Sequence, residues 1–243
     1  MVRGFYQLAS GMMTQNKTLN SIGNNITNVK TQGYKKQTVV STTFGEMLLQ
    51  RVDEKITPVG TMALGRTTGD TVTIHTQGVM ESTGRNLDFA IQGAGFFAVQ
   101  GQNGLVYTRK GDFNIDADGY LVQQGAGRVM GKKGPIMVGT DHFTADERGN
   151  IYVGNRLIDG LAVYNFADYN TLTEANSGFY TASGGGQLIN ANIQWQTLEG
   201  SNVDVAEEMT NAIATQRELQ SCSQALKMYD KVLEKATTQI GQV

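Results

Sequence analysis

The chain of 243 residues has one cysteine, two prolines, two histidines and a formal net charge of −2. A lone Cys222 excludes an intrachain disulfide framework and any cysteine-rich metal site. The near-neutral balance provides no global field toward nucleic acid or anionic lipid. The Lys35–Lys36 and Lys132–Lys133 pairs read as solvated surface. No window approaches the roughly 18 uninterrupted apolar residues of a membrane span. The opening Met1-Val-Arg-Gly-Phe5 has no apolar h-region or small-residue cleavage site, so the expectation is a chain that stays in the cytoplasm or leaves by a route that removes nothing. With so little proline and 30 glycines, turns must be made mainly by Gly, Asn and Asp.

What the chain does have is helical periodicity at both ends. Phe5, Leu8, Met12, Leu19, Ile22, Ile26 and Val29 recur at threes and fours, with Gln15 as the polar interruption. At the other end Val205, Ala212, Leu219, Leu226, Leu233 and Ile240 recur at every seventh residue, flanked by Met209. Such spacing lays each set along one stripe of a helix, and a stripe needs a partner. Asn24, Asn25, Thr27 and Asn28 weaken the first helix as an isolated element. Gly33 supplies its stop. Ser201 or Asn202 is a candidate cap for the second, with Asp204, Glu207 and Glu208 at its positive end.

Between these ends the pattern changes. Residues 34–70 read as an extended connector with a short helical or irregular piece near Phe44–Gln50. From Thr71 to Trp195, short apolar runs alternate with turn signals: Leu87-Asp-Phe-Ala-Ile91, Phe96-Phe-Ala-Val99, Phe113-Asn-Ile115, Tyr120-Leu-Val122 and Leu161-Ala-Val-Tyr-Asn-Phe166. Asp116-Ala-Asp-Gly119 is a strong hairpin signal. The fold class expected is therefore a mainly β central domain with long α-helical N- and C-terminal segments that pair as a coiled coil, α+β overall. Its divisions are 1–33 (N-terminal helix), 34–70 (connector), 71–197 (β-rich centre) and 198–243 (C-terminal helix).

Chemical motifs carry little. Gly93-Ala-Gly-Phe-Phe-Ala98 fits a dinucleotide loop only formally, because a strand rather than a helix follows it. Asn114-Ile-Asp-Ala-Asp-Gly119 resembles half a calcium loop, but Gly125 stands where the bidentate glutamate belongs. His75, His142 and Cys222 have no metal-ligand spacing. No catalytic, cofactor or metal site is expected. A chain whose two ends both need helical partners reads as a building block.

Three sets of motifs add a family resemblance. Ile22-Gly-Asn-Asn-Ile-Thr-Asn-Val-Lys-Thr-Gln-Gly-Tyr-Lys35 resembles the N-terminal signature of bacterial flagellar rod and hook proteins, with Gly23 and Thr27 in place of two alanines. Leu87–Phe97, Tyr107-Thr-Arg-Lys-Gly-Asp-Phe113 and Asp116–Leu121 resemble the family's β-domain motifs. Leu198-Glu-Gly-Ser-Asn-Val203, then Glu208-Met209 and Gln216-Arg217, resembles its C-terminal signature, although Glu218-Leu219 follows where an aromatic is usual. Within the family the proximal rod type fits first and the distal type second.

The resemblance implies a structural subunit of the flagellar basal-body rod that polymerises through its terminal helices into a helical drive shaft. Its partners would be copies of itself, neighbouring rod and hook proteins and the flagellar type III export apparatus, which passes such chains unprocessed. No nucleic acid, membrane insertion or cofactor is implied. Phe44 and Leu48 match the pattern by which early substrates engage the export gate. The competing reading is a secreted, non-enzymatic binding module on a coiled-coil oligomerisation stalk.

Overall fold

The computed structural model describes residues 2–52, 56–101, 104–176 and 178–240, with the side chains at 2–3, 43–52, 56–68, 176 and 239–240 outside the description. The chain divides into two compact units. One comprises 1–27, 37–74 and 204–243; the other comprises 28–36 and 75–203.

The first unit contains both terminal helices. Helix α1 spans Val2–Thr27 and α2 spans Val205–Lys235, followed by a π-helical turn Ala236–Ile240. Asp204 caps α2, its Oδ1 accepting from the N–H groups of Ala206 at 2.8 Å and Glu207 at 3.3 Å. It takes this role from Ser201 and Asn202 because it immediately precedes the first helical residue and its carboxylate sits at the positive helix end. The first helix stops earlier than its periodicity suggests, so Val29 lies in the following turn.

The segment expected to be a connector is instead a long antiparallel hairpin, β1 (Gln37–Val52) with β2 (Ile56–Thr73). Phe44–Gln50, suggested as a short helical piece, is strand backbone within it. Pro58 is tolerated because it adjoins a register shift between Leu49 and Gln50, where the ladder is already interrupted. A second shift, between Val39 and Ser41, adjoins Gly69. There a Cβ would come within 2.1 Å of the Val40 carbonyl oxygen.

Among its described residues the second unit has strands and one short 3-10 turn, Tyr169–Thr171. Its first strands are β3 (Met80–Ser82), β4 (Phe89–Gln92), β5 (Phe96–Gly101), β6 (Gly104–Thr108), β7 (Phe113–Ile115), β8 (Leu121–Gln123) and β9 (Gly127–Val129). Then follow β10 (Thr144–Ala145), β11 (Asn150–Val153), β12 (Arg156–Gly160), β13 (Val163–Asn165) and β14 (Leu172–Asn176). The last are β15 (Phe179–Ala182), β16 (Gln187–Ile189), β17 (Asn192–Trp195) and β18 (Thr197–Glu199). The main sheet runs β14-β15-β6-β5-β9-β8-β7, with β13 bridging β5 and β16.

Strand β5 explains the unbroken run Phe96-Phe-Ala-Val99. Side chains alternate across a strand, so a strand buried on both faces reads as continuously apolar. Phe97 and Val99 enter one core with Phe89, Phe113 and Leu121. Phe96 and Ala98 enter another with Tyr107, Phe166 and Tyr180. The preceding Gly95, at φ +126, needs glycine twice over, since a Cβ there would also lie 2.5 Å from Val163 Cγ1.

Two hairpins repeat one device. Asp116 and Asp146 each accept at Oδ1 from the N–H groups two and four residues on, while Gly119 and Gly149 adopt positive φ. At the first hairpin the Asp116 and Asp118 carboxylates hold the Arg128 guanidinium, which also lies 4.0 Å over the Tyr120 ring. The calcium-like spacing therefore serves an arginine.

Candidate functional site

The sequence directs attention to the terminal helices, and their pairing has an unusual lining. The helices run antiparallel: Asn25 meets Glu208, Gln15 meets Glu218, and a Cβ on Gly4 would strike the Tyr229 hydroxyl at 2.6 Å. Among the described side chains, the buried residues of α1 are Thr14, Ser21, Ile22 and Asn25, and those of α2 are Glu208 and Thr215. All but Ile22 are polar.

Asn25 organises the deep end. Its Nδ2 donates to Glu208 Oε2 at 3.0 Å and to the Gln37 carbonyl at 2.8 Å, and its Oδ1 accepts from Gln37 N–H at 2.9 Å. The Ser21 hydroxyl donates to the same carbonyl at 3.0 Å. Lys17 Nζ donates to the Gly69 carbonyl at 2.7 Å. Helix α1 is thus fixed to the base of the hairpin and to α2 by polar contacts.

On α1 the apolar stripe lies on another face. At 3.6 residues per turn, Leu8, Met12, Leu19 and Ile26 sit about a third of the circumference from the Thr14–Ser21–Asn25 line. They are half-buried, Ile22 is buried and Phe5 is exposed. On α2, Val205, Ala212, Leu219 and Leu226 are half-buried, whereas Met209 and Leu233 are exposed. Ile240 lies in the π-helical turn and its side chain is outside the described residues. Also exposed on α2, on faces away from that stripe, are Ile213 at 55%, Met228 at 62% and Val232 at 58%. The buried Glu208 and Thr215 lie on the same side of α2 as this half-buried stripe, within about 60° of it. Phe44 and Leu48 are in β1, opposite Gly65 and Thr61 respectively, and their side chains too lie outside the described residues.

The β unit holds a second constellation that the sequence did not single out. Glu199 in β18 accepts from Lys35 Nζ at Oε1 and from Arg109 Nη1 at Oε2, at 2.5 and 3.2 Å. All three side chains are essentially withdrawn from solvent. Arg109 Nη2 also donates to the Gly93 carbonyl at 2.7 Å, and its guanidinium lies 5.2 Å over the Phe96 ring. Burial pushes the Lys35 ammonium below the usual lysine range, opposed by the Glu199 charge. His75 sits against Phe96, Tyr169 and Tyr180. Burial, then the Lys35 and Arg109 charges, lowers its pKa to about 4, so its imidazole is neutral near pH 7. Lys35, Arg109 and Glu199 come from the three motif sets quoted from the sequence. The signal was present, but no local pattern shows that they converge.

Among the described residues no group of three or more His, Cys, Asp or Glu could hold a metal ion. A half-open cleft of about 400 Å³ is lined by Gln92, Asp146, Glu147, Asn192, Gln194 and Trp195, among others. Its Asp146 carboxylate is taken up by Arg148 and Asn150.

Comparison with known proteins finds relatives of the chain. The family model described as the flagellar hook protein FlgE/F/G D1 domain matches residues 90–153, and that of the flagellar basal body rod FlgEFG protein C-terminal matches residues 195–239. The flagellar basal-body rod protein FlgG of Bacillus subtilis is 33% identical, covering 96% of this chain and 97% of its own length. FlgG of Agrobacterium fabrum is 31% identical over 92% and 94%. The flagellar basal-body rod protein FlgF of Caulobacter vibrioides is 28% identical over the full length of both.

Proposed function

Because the chain belongs to the flagellar basal-body rod protein family and is a structural subunit of that rod, we propose that it polymerises through the apolar faces of α1 and α2. The observation that carries this reading is the set of large apolar side chains that α2 leaves exposed. The most buried positions of the pair are mostly polar, while Met209, Ile213, Met228, Val232 and Leu233 stay exposed on α2 and available to a neighbour. If Met209, Ile213, Met228, Val232 and Leu233 were fully covered on assembly they would contribute about 7–15 kcal/mol per subunit, an upper figure at ~1.5–3 each. Coiled-coil packing belongs to these contacts between subunits. Contacts of this kind are heterologous and do not close, so they build a helical filament.

The partners are copies of this chain and adjoining rod and hook proteins, in the basal body. Delivery is through the flagellar type III export apparatus, with Phe44 and Leu48 as the gate-engaging pair while the chain is unfolded. The proximal position along the rod rests on the Leu198–Val203 motif. The binding-module alternative has no finding in its favour.

Ile213→Asp and Met228→Asp test the reading, because both positions are solvent-exposed and the folded monomer should change by less than about 0.5 kcal/mol. Each variant should fold normally yet be missing from purified basal bodies, with motility lost. Leu219→Asp and Leu226→Asp should also block incorporation, but they are half-buried and disturb the monomer as well. Normal incorporation of the two exposed-site variants would overturn the assembly surface.

A further inference from the structure

The segment 28–36 has turns but no helix or strand of its own, yet Gly33, Tyr34 and Lys35 are buried. Its anchorage comes from the other end of the chain. The Gly33 N–H donates to the Glu199 carbonyl at 2.7 Å, Lys35 Nζ pairs with the Glu199 carboxylate, and the Lys36 N–H donates to Asn202 Oδ1 at 2.6 Å. The start of the β unit is tied into the same place. Lys35 Nζ donates to the Thr76 carbonyl at 2.7 Å, the Gly78 N–H to Glu199 Oε1 at 3.0 Å, and Asn202 Nδ2 to Thr76 Oγ1 at 2.8 Å. These are the segments by which the chain leaves the β unit for the helical one.

Two buried cations, Lys35 and Arg109, share this one carboxylate, and among the described residues neither has another acidic partner. Until the C-terminal motif docks, burying Lys35 beside Arg109 places like charges together out of water, which is strongly unfavourable. We infer that Glu199 is a latch: the segment 28–36 locks onto the β unit only when Leu198–Val203 has docked and the Glu199 carboxylate neutralises Lys35 and Arg109. Locking the N-terminal segment therefore requires that the end of the β unit be present and folded. The inference concerns the monomer and does not depend on the rod reading.

Limited trypsin digestion of the full-length protein, read by mass spectrometry, tests it. In Glu199→Gln the amide keeps an acceptor for the Gly78 N–H but removes the charge. Cleavage after Lys36 should rise about tenfold or more relative to the parent protein, since cleavage follows the population of the open segment. Cleavage after the exposed Lys132 and Lys133 should stay within about twofold, being set by a segment outside the latch. The triple variant Lys35→Met, Arg109→Met, Glu199→Gln removes both cations with the anion and should restore protection at Lys36. Unchanged cleavage in the single variant overturns the latch. If the single variant opens everywhere, the triple decides: restored protection supports the charge latch, and continued lability overturns it.

Discussion

Replacing Asn25 with alanine removes three hydrogen bonds from a fully buried position, 1% exposed. The bond to Glu208 Oε2 has an ionic acceptor and is worth ~1.5–3 kcal/mol, whereas the two to the Gln37 backbone are worth ~0.5–1.5 each. The loss is about 4 kcal/mol, a large fraction of the ~5–15 kcal/mol that holds a typical domain. Because Asn25, Gln37 and Glu208 all belong to the helical unit, the effect should stay there. Hydrogen exchange of α1 and α2 amides should accelerate by about a thousandfold, at 1.4 kcal/mol per decade, while strands β4–β9 keep their protection. Asn25→Asp tests the chemistry further: it returns an acceptor for the Gln37 N–H but sets a second carboxylate against Glu208. It should be no better than alanine at neutral pH. Helix exchange within about threefold of the parent protein in both variants would refute the polar seam as the feature holding the helices.

Gly33→Ala forces a side chain into φ +65 and places its Cβ 2.6 Å from the Arg109 carbonyl carbon and the Lys110 nitrogen. The expected cost is ~2–4 kcal/mol, seen as a lower melting temperature of the β unit, and an unchanged melt would contradict it. His75 gives a pH dependence. Its folded pKa of about 4 lies below the ordinary 6.5, so between these values the unfolded chain binds the extra proton. Stability should therefore fall as the pH drops from about 6.5 to 4, with a slope approaching one proton, and this component should level off below 4. His75→Gln should flatten that component in denaturant titrations; an identical slope in the variant would place it elsewhere.

The terminal helices were legible because the 3.6-residue period survives whatever covers the stripe, and Phe5–Ile26 and Val205–Leu233 show it plainly. Several β-unit runs were equally direct. Phe113-Asn-Ile115 is β7 itself, and Phe96–Val99 begins β5, because a strand buried on both faces must be apolar throughout. The β1–β2 hairpin was hidden. Its sequence is rich in Thr and Gly, contains Pro58, and has two register shifts that blur a period of two.

The polar seam was hidden for a different reason. Thr14, Ser21, Asn25, Glu208 and Thr215 have the residue types of a solvated face, and only tertiary contacts distinguish a buried polar side chain from an exposed one. Asn24–Asn28 therefore read as weakening α1, when Asn25 is one of its anchors. The Lys35–Arg109–Glu199 cluster joins positions far apart in the chain, beyond the reach of any local pattern, although each residue lies in a quoted motif.

The most direct test of the rod assignment is electron microscopy of hook–basal bodies purified from a strain carrying a clean deletion of this chain. The account predicts particles that end at the membrane ring, with no complete rod and no hook. Intact basal bodies bearing hooks would contradict it.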